Sequence, residues 1–363
     1  MNVGGKLIKS FVDSGWKRLC TLKQEQVLGL DIGSSAVKIV QLHKNEAGYV
    51  VTAAGMAEIA DGTENDMNRK EINTVGAIDR CIKSAGVQTQ LAVCGVCGPE
   101  VAVRYFKFPT LPPEEVEGAV MLEASQVCPF NVDDAAVDYQ LVPDGQNNTA
   151  GILVAATNEV IKRKSQLAKN ASLNSVLIDV DGLALLNCFN ECEKPGIGQT
   201  TAILNVGSSY AILAIVGKNG LPFVRDMTYA GDCFIKQIAS ENNVSTGIVR
   251  EVLFGVENSS SPQLDLADSL DRACQKLITS VAETLRYYTT QGKLAVVEKV
   301  FLCGGFAAAR GFVELLASHL ATSVVLWNPF DKIPCHADQH CRDMLRKNGP
   351  AMAVAAGLAM RSI

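Results

Sequence analysis

The chain has 363 residues, of which 48% are hydrophobic, and its formal net charge at pH 7 is −5. This length allows one large core or two or three smaller ones, and the acidic balance argues against a broad nucleic-acid-binding surface, which needs a basic field. The sequence contains no uninterrupted apolar run of the roughly 18 to 20 residues that a membrane-spanning helix needs. Twelve cysteines are scattered through predicted strands and helices, which indicates buried thiols in a reducing cytoplasm.

Residues 1–26 are predicted to form an amphipathic basic extension. Its apolar residues recur at helical spacing at Ile8, Val12, Trp16 and Leu19. The charged residues on the opposite side are Lys6, Lys9 and Lys17. In one interpretation this helix packs against the body of the protein; in the other it associates peripherally with a membrane surface.

A polar turn between two apolar strands lies at residues 29–38, which read GLDIGSSAVK. Gly33 permits the turn, Ser34 and Ser35 offer backbone N–H groups, and Lys38 adds a positive charge, a combination that suits a phosphate. Asp31 is suited to hold a hydrated Mg²⁺. The same pattern also describes an ordinary β-hairpin turn, so this stretch alone leaves both interpretations open.

The chain repeats this pattern in its second half. Residues 30–45 (LDIGSSAVKIVQLHKN) and 204–219 (LNVGSSYAILAIVGKN) align without a gap, at a constant spacing of 174 residues from Leu30 to Leu204. The second copy contains Asn205, Gly207, Ser208 and Ser209. A repeat at half the chain length favours two similar lobes, each offering a phosphate loop to one shared cleft. Such a cleft suits a nucleotide.

The other elements are predicted from periodicity and from turn residues. Residues 27–103, the first part of lobe 1, contain predicted strands at Val27–Leu30, Val37–His43, Tyr49–Ile59 and Leu91–Cys97, with a helix before the last one. Residues 104–175 read as an inserted α+β module with helices at Glu114–Cys128 and Asn158–Ala171 and strands at Ala136–Val142 and Gly151–Ala156.

The second half of the chain continues the same α/β pattern. Residues 176–200 return to lobe 1 and form a connecting helix, residues 201–345 form lobe 2, and residues 346–363 form a closing helix back to lobe 1. The segment 335–341, which contains cysteine and histidine, is predicted to be a loop before a closing helix at Gly349–Met360.

Together these motifs resemble the actin-like ATPase superfamily, and within it the PilM proteins of type IV pilus assembly, relatives of the cell-division protein FtsA. Residues 31–38 are similar to the first phosphate motif of that superfamily, and residues 205–209 to the second. The stretch 302–311, with Gly304, Gly305 and Phe306, is similar to its adenosine motif. Residues 178–182 and 349–357 fall where the two connecting helices cross between the lobes.

The narrower resemblance to PilM rests on the inserted module, at residues 104–112, 126–130 and 138–142, and on residues 229–232 of the second lobe. It implies an α/β fold of duplicated, ribonuclease H-like lobes around a nucleotide cleft, with an inserted α+β subdomain of the FtsA/PilM type. It also implies a cytoplasmic ATP-binding scaffold at the inner face of the inner membrane, with ATP and Mg²⁺ as cofactors.

The resemblance implies roles for particular residues and partners. Asp31 is the candidate catalytic residue and would hold Mg²⁺ through water. The candidate nucleotide-binding residues are Gly33, Ser34, Ser35, Lys38, Asn205, Gly207, Ser208, Ser209, Glu251, Gly304, Gly305 and Phe306. The implied partners are the N-terminal cytoplasmic tail of a PilN-like single-span inner-membrane protein and other pilus assembly and motor components. The candidate partner-binding aromatics are Tyr105, Phe106 and Phe130, for which core packing is the alternative.

Two departures from the superfamily pattern bear on mechanism. The second phosphate motif has Asn205 where hydrolysing members usually have Asp, and an amide supplies no negative charge to a metal shell or to proton removal. Slow or absent hydrolysis is therefore expected. Phe254 stands where a Glu-x-x-Lys motif has its Lys, so either Phe254 packs against the base or this part of the site is degenerate. The alternatives are an active ATPase or small-molecule kinase, or an FtsA-like membrane-tethered filament protein.

Two clusters have ligand types that suit Zn²⁺, namely Cys94 with Cys97 and the segment 335–341. Free thiols and surface histidines are the favoured interpretation, because the first pair ends a strand with Pro99 close behind and the second cluster is a single loop with no matching pair nearby in sequence. Cys94 and Cys97 follow an apolar strand instead of beginning a helix, which argues against a redox pair.

Overall fold

The computed structural model describes residues 27–60, 67–143, 148–194, 200–217, 221–255, 266–290 and 296–361. The predicted amphipathic helix at residues 1–26 lies outside the described residues. Within the described residues, no helix combines the length and the apolar character that crossing a membrane would require.

The elements of the first half are β1 (Val27–Ile32), β2 (Ala36–Asn45), β3 (Gly48–Glu58), α1 (Met67–Ala85), β4 (Leu91–Val96), β5 (Val101–Phe108), α2 (Pro113–Val127), β6 (Ala135–Val142), β7 (Thr149–Thr157), α3 (Asn158–Asn170), β8 (Asn174–Val180) and α4 (Asp181–Glu193). Those of the second half are β9 (Thr201–Val206), β10 (Ala211–Val216), β11 (Pro222–Met227), α5 (Gly231–Asn242), α6 (Thr246–Phe254), α7 (Ala267–Thr290), β12 (Lys299–Cys303), α8 (Phe312–His319), β13 (Ser323–Leu326), α9 (Gln339–Asn348) and α10 (Ala353–Ala359).

The two lobes are built on sheets of the same topology. The first sheet has the order β3-β2-β1-β4-β8 and the second has the order β11-β10-β9-β12-β13. In each, the hairpin that carries the repeated motif is antiparallel, and its first strand pairs in parallel with the next strand on its other side. The registers also match, because Asp31 lies opposite Lys38 and Asn205 lies opposite Ile212. The predicted duplication of an α/β lobe is confirmed.

The central strands are buried on both faces. Every residue of β1 is buried, and β9 differs only at Asn205, which is half-buried. Near-continuous apolar strands are typical of sheets covered by helices on both sides. In the first lobe α10 packs against β1 and against α4, so the two connecting helices contact each other beside the central strand.

The inserted module is a three-stranded antiparallel sheet of order β5-β7-β6. The buried residues of α2, Val116, Val120 and Ala124, recur at a spacing of four and cover one face, against Phe106 and Leu153. The other face contributes to the core of the first lobe. The helix α3, predicted as part of the module at residues 104–175, packs against β4, β8 and α1 of the first lobe, because the buried side of this helix faces that lobe.

One predicted loop is a helix in the structure. Residues 339–348 form α9, whose N-cap is Asp338, and the Asp338 carboxylate accepts a hydrogen bond of 2.8 Å from the backbone N–H of Cys341. The expected helix over Gly349–Met360 is divided into a 3₁₀ turn at Gly349–Met352 and α10. The loop prediction for 335–341 was wrong over 339–341, where α9 begins, because α9 is strongly polar and its cap lies within the cysteine and histidine cluster.

Candidate functional site

The first loop is closed by an ion pair across its hairpin. Asp31 at the end of β1 is 9% exposed, and its Oδ2 lies 3.0 Å from the Nζ of Lys38 on β2. The Gly33 N–H donates to the carbonyl of Ala36 at 3.1 Å and closes the turn. Ser34 is half-buried and Ser35 is exposed in that turn. The predicted phosphate-binding residues of the first motif are therefore together.

The second loop has the same turn but different side-chain partners. The Gly207 N–H donates to the carbonyl of Tyr210 at 2.9 Å, as the Gly33 N–H does in the first loop. The Ser208 hydroxyl donates to Asp232 at 2.7 Å, and the same carboxylate oxygen of Asp232 lies 3.0 Å from Arg250. Ser209 is half-buried beside Ser208. The second loop is thus held to the start of α5 through Asp232.

Asn205 occupies the position that matches Asp31. Its Oδ1 accepts a hydrogen bond from the thiol of Cys303 at 3.7 Å, and Ile212 stands opposite it, where the first loop has Lys38. An amide paired with a thiol carries no charge. At these two matching positions, therefore, only the first loop has charged side chains, Asp31 and Lys38.

The glycine turn after β12 lies directly against the second loop. Gly304 has φ +95°, and a Cβ there would lie 2.4 Å from the carbonyl oxygen of Val206, so only glycine fits. Its N–H donates to the carbonyl of Pro350 at 2.8 Å. Gly305 is exposed, and a Cβ there would meet nothing within 4 Å. The turn therefore presents open backbone at Gly305.

Phe306 is 3% exposed, and its side chain belongs to the core of the second lobe. Its ring packs edge-on against Phe234, Phe254 and Phe312 at centroid distances of 5.2, 5.7 and 5.0 Å. A ligand contact at Phe306 would have to use its backbone. Phe254 is 39% exposed, so it packs against Phe306 on one side and is open on another. Glu251 is exposed on the same helix, α6.

Asp181 lies beside the first loop, whereas the sequence pattern indicated only that it belongs to a connecting helix. It begins α4 directly after β8, and the carboxyl ends of the parallel strands β1, β4 and β8 meet at one edge. Burial, and then the charge of Asp31, raise the pKa of Asp181 to about 7. Within the described residues its buried Oδ1 has no hydrogen-bond partner. In the sequence, the feature that could have identified Asp181 as a site residue is its position directly after an apolar strand.

Lys164 of α3 reaches the same edge. Its Nζ donates to the carbonyl of Ile32, the residue between Asp31 and Gly33, and its positive charge acts to lower the pKa of Asp181. No sequence signal marked Lys164, because it is one of several lysines on a predicted surface helix. The structure thus gathers two cations and two carboxylates at the first loop.

The two lobes touch beside this edge. The Gly98 N–H donates to Asp226 Oδ2 on β11 at 2.6 Å, and the ring of Tyr210 lies over Gly98. Burial raises the pKa of Asp226 to about 6. A Cβ at Gly182, the second residue of α4, would lie 2.4 Å from Val224 of β11, so α4 begins where the first lobe meets the hairpin of the second.

The three candidate partner-binding aromatics are in different environments. Phe106 is 2% exposed and stacks on Phe108 at 5.1 Å, so it is a core residue of the module and not a surface anchor. Tyr105 is 44% exposed on β5. Phe130 lines an open groove of about 1110 Å³ between the module and α3. The groove also has charged lining residues, namely Glu100, Asp134, Glu159, Lys162, Arg163 and Lys169.

In the two cysteine clusters, Cys94 and Cys341 are buried free thiols, and Cys97 and Cys335 are half-buried free thiols. Burial raises the pKa of Cys94 to about 11, which disfavours the reactive thiolate. The Sγ atoms of Cys335 and Cys341 lie 3.7 Å apart. In the part of the chain that the structure describes, no three His, Cys, Asp or Glu side chains group as metal ligands would.

A family profile described as "Type IV pilus assembly protein PilM" matches residues 29–363. The chain belongs to the PilM family. Its fold is similar to that of the solved "PilM-PilN type IV pilus biogenesis complex", with a TM-score of 0.77 and 23% identity, over 93% of this chain and 98% of that one. The resemblance inferred from the motifs is thereby confirmed.

The PilM-family fold extends to more distant structures. The ethanolamine utilization protein EutJ from Carboxydothermus hydrogenoformans aligns with a TM-score of 0.53 and 13% identity, covering 92% of this chain and 89% of that one. A diol dehydratase-reactivating factor, in a nucleotide-free form, aligns with a TM-score of 0.51 and 11% identity, covering 92% and 98%. These likenesses support the actin-like architecture of duplicated lobes.

Proposed function

We propose that this PilM-family protein binds ATP with Mg²⁺ between its lobes and acts as a scaffold in type IV pilus assembly, with slow or no hydrolysis. The observation that carries the proposal is the edge where β1, β4 and β8 end. Asp31, Lys38, Lys164 and Asp181 converge there, next to the contact between the lobes. In open α/β sheets, ligands bind outside the carboxyl ends of the strands.

The two turns would hold the phosphates. Backbone N–H groups of the Gly33 and Gly207 turns suit phosphate oxygens, and Ser34, Ser35, Ser208 and Ser209 belong to the same turns. Lys38 would exchange its ion pair with Asp31 for a phosphate oxygen, so it gives up one charged partner for another. Most of the phosphate and metal contacts would fall to the first loop, because the second has Asn205 and Ile212 at the matching positions.

The residues present fit a hydrated divalent cation. Asp31 and Asp181 are near enough for the charge of Asp31 to raise the pKa of Asp181, and the buried Oδ1 of Asp181 lacks a hydrogen-bond partner within the described residues. Mg²⁺ prefers oxygen ligands and keeps several waters, so these two carboxylates would hold it through water. When bound, Mg²⁺ would neutralise part of the phosphate charge.

The adenosine end would lie in the second lobe. Gly304 and Gly305 bring open backbone next to the second loop, and Glu251 and Phe254 on α6 are exposed nearby. Phe254 would offer its open side to the base, while Phe306 supports it from the core.

Hydrolysis is expected to be slow because Asn205 supplies no charge. Its amide accepts from the Cys303 thiol and can orient a water but cannot take a proton from it. Asp181 has its pKa raised to about 7, which suits a general base, so any turnover would depend on Asp181. That observation is what an active ATPase, the second candidate function, has in its favour.

The groove beside the module is the proposed site for the cytoplasmic tail of a PilN-like single-span inner-membrane protein. One similar solved structure is of a complex that PilM forms with PilN. Phe130 offers an apolar contact, and the lining charges of both signs can pair with a polar peptide. The protein would then lie at the cytoplasmic face of the inner membrane, where it would link motor components to the membrane partner, and the 1–26 extension would contact the lipid.

Two measurements test the proposal. Equilibrium dialysis with labelled ATP and Mg²⁺ should show one nucleotide per chain, and release of phosphate should be slow. Fluorescence anisotropy with a labelled tail peptide of the PilN-like protein should show binding that Phe130→Ala weakens and that Tyr287→Ala, at an exposed position on α7 outside the groove lining, leaves unchanged. Fast turnover abolished by Asp181→Asn would favour the ATPase candidate instead.

A further inference from the structure

The helix α3 borders both proposed sites, the groove on one side and the first loop on the other. Lys162, Arg163 and Lys169 line the groove beside the module, whereas Lys164 points the other way and donates to the carbonyl of Ile32. Arg163 and Ser165, on either side of Lys164 in the chain, line the groove, whereas Lys164 does not and its Nζ lies at Ile32. Lys164 is half-buried between α3 and the first loop.

The side of the loop on which Lys164 lies is set by the backbone. The Gly33 N–H donates to Ala36 on the β2 side. In a planar trans peptide the carbonyl points opposite to the following N–H, so the Ile32 carbonyl points away from β2, toward the side where β4 pairs with β1. The Lys164 ammonium is therefore at the carboxyl ends of β1 and β4, on the same side as Asp181, whose pKa its charge acts to lower.

The ammonium group of Lys164 can donate more hydrogen bonds than it makes within the described residues. Within the described residues, Lys164 makes one hydrogen bond, to Ile32, and it forms no direct ion pair with Asp181, although its charge acts to lower the pKa of that carboxyl. An ammonium group has three N–H donors. A half-buried cation without a paired carboxylate, next to a phosphate-type turn, indicates an anionic ligand.

The topology predicts which part of a bound nucleotide would lie nearest to Lys164. The Gly304–Gly305 turn follows β12 in the second lobe, whereas Lys164 lies on α3 and reaches the first loop, which belongs to the other lobe. A nucleotide whose adenosine end lies at Gly305 would extend its phosphates toward the first lobe, so the last phosphate would be nearest to Lys164.

We propose that Lys164 contacts the terminal phosphate of the bound nucleotide and makes the site select a nucleoside triphosphate over the diphosphate. This inference rests on the proposed binding of ATP between the lobes. It adds to Lys38 a second cation that comes from a different element. Since α3 also lines the groove, the same helix contacts both proposed ligands.

The test is calorimetric titration of Mg²⁺·ATP and Mg²⁺·ADP into the full chain and into Lys164→Met, Lys164→Arg and Lys83→Met. Lys83 is an exposed lysine in the last turn of α1 and serves as the matched control. We expect Lys164→Met to weaken ATP by about tenfold or more, the loss of a hydrogen bond to a charged group, and ADP by less than about threefold. Lys164→Arg should keep the preference, and Lys83→Met should match the wild type.

Other results would separate the two claims. If Lys164→Met loses no affinity, or loses the same factor for ATP and for ADP, the ratio of the two affinities is unchanged. That result would overturn the role of Lys164 but not the nucleotide site. A wild-type chain that binds neither nucleotide would refute the proposed function itself. Thermal melts without nucleotide accompany each variant, and if Lys164→Met does not fold, Lys164→Gln is read by the same ratio.

Discussion

Replacing Asp226 by Asn should stabilise the protein at alkaline pH and not at acidic pH. Burial raises the pKa of Asp226 from 3.8 to about 6, so the folded chain holds this proton more tightly than the unfolded chain does. When the pKa of a carboxyl group is higher in the folded chain, the protein is fully stable below the pKa of the unfolded chain. It loses this part of its stability as the pH rises through the pKa of the folded chain. A pKa raised from 3.8 to about 6 lowers the free energy of unfolding by about 3 kcal/mol above pH 6.

Asn keeps the main contact while removing the charge. The bond from the Gly98 N–H to Asp226 Oδ2 can pass to the amide oxygen of Asn, because a carbonyl oxygen accepts as a carboxylate does. Unfolding in urea should therefore show Asp226→Asn more stable than the wild type at pH 8 by up to about 3 kcal/mol, and by less than about 1 kcal/mol at pH 4. Asp343→Asn, at an exposed position on α9, is the control.

A different pH pattern would refute this reasoning. If Asp226→Asn destabilises the protein equally at both pH values, the carboxylate is ionised and well compensated in the fold, and burial does not dominate its pKa. A gain of the same size at pH 4 and pH 8 would mean that the effect comes from packing and not from the proton.

Three further predictions, which use five substitutions, test the proposed roles of individual residues. Asn205→Asp should raise phosphate release by at least about tenfold, since it restores a charge beside the proposed metal and water; an unchanged rate would place the limiting step elsewhere. Phe106→Ala should cost about 3–5 kcal/mol in urea unfolding as a buried core residue, whereas Phe130→Ala should cost less and weaken the tail peptide instead. Gly98→Ala should destabilise more than Gly86→Ala by at least about 1 kcal/mol: both have positive φ, but a Cβ at Gly98 would lie 3.0 Å from the Tyr210 ring, while Gly86 is open.

Local patterns were enough to predict the duplicated sheets. The repeated motif has the same spacing of apolar residues and turn glycine in both halves, and the structure pairs Asp31 with Lys38 and Asn205 with Ile212 in the same register. Apolar strands that end in a polar glycine turn need no distant partner to be recognised. The inserted module was also visible, since prolines mark the start of α2 and a proline follows soon after its end.

What the sequence could not show depends on contacts between distant elements. Lys164 reaches Ile32 across 132 residues, and nothing in the pattern of α3 distinguishes it from the lysines on the groove side. Asp181 acquires its raised pKa only when β1 and β8 share an edge. Phe106 and Tyr105 are neighbours in an aromatic stretch, and which of them is buried depends on the face that α2 covers.

Calorimetric titration of Mg²⁺·ATP into the wild-type chain and into Asp31→Ala tests the nucleotide site between the lobes most directly. The wild type should bind one ATP per chain, and Asp31→Ala should lose about tenfold or more of that affinity in the presence of Mg²⁺, with a smaller difference when Mg²⁺ is chelated. No measurable heat or saturation with the wild type, or equal affinity for the two proteins in Mg²⁺, would contradict it.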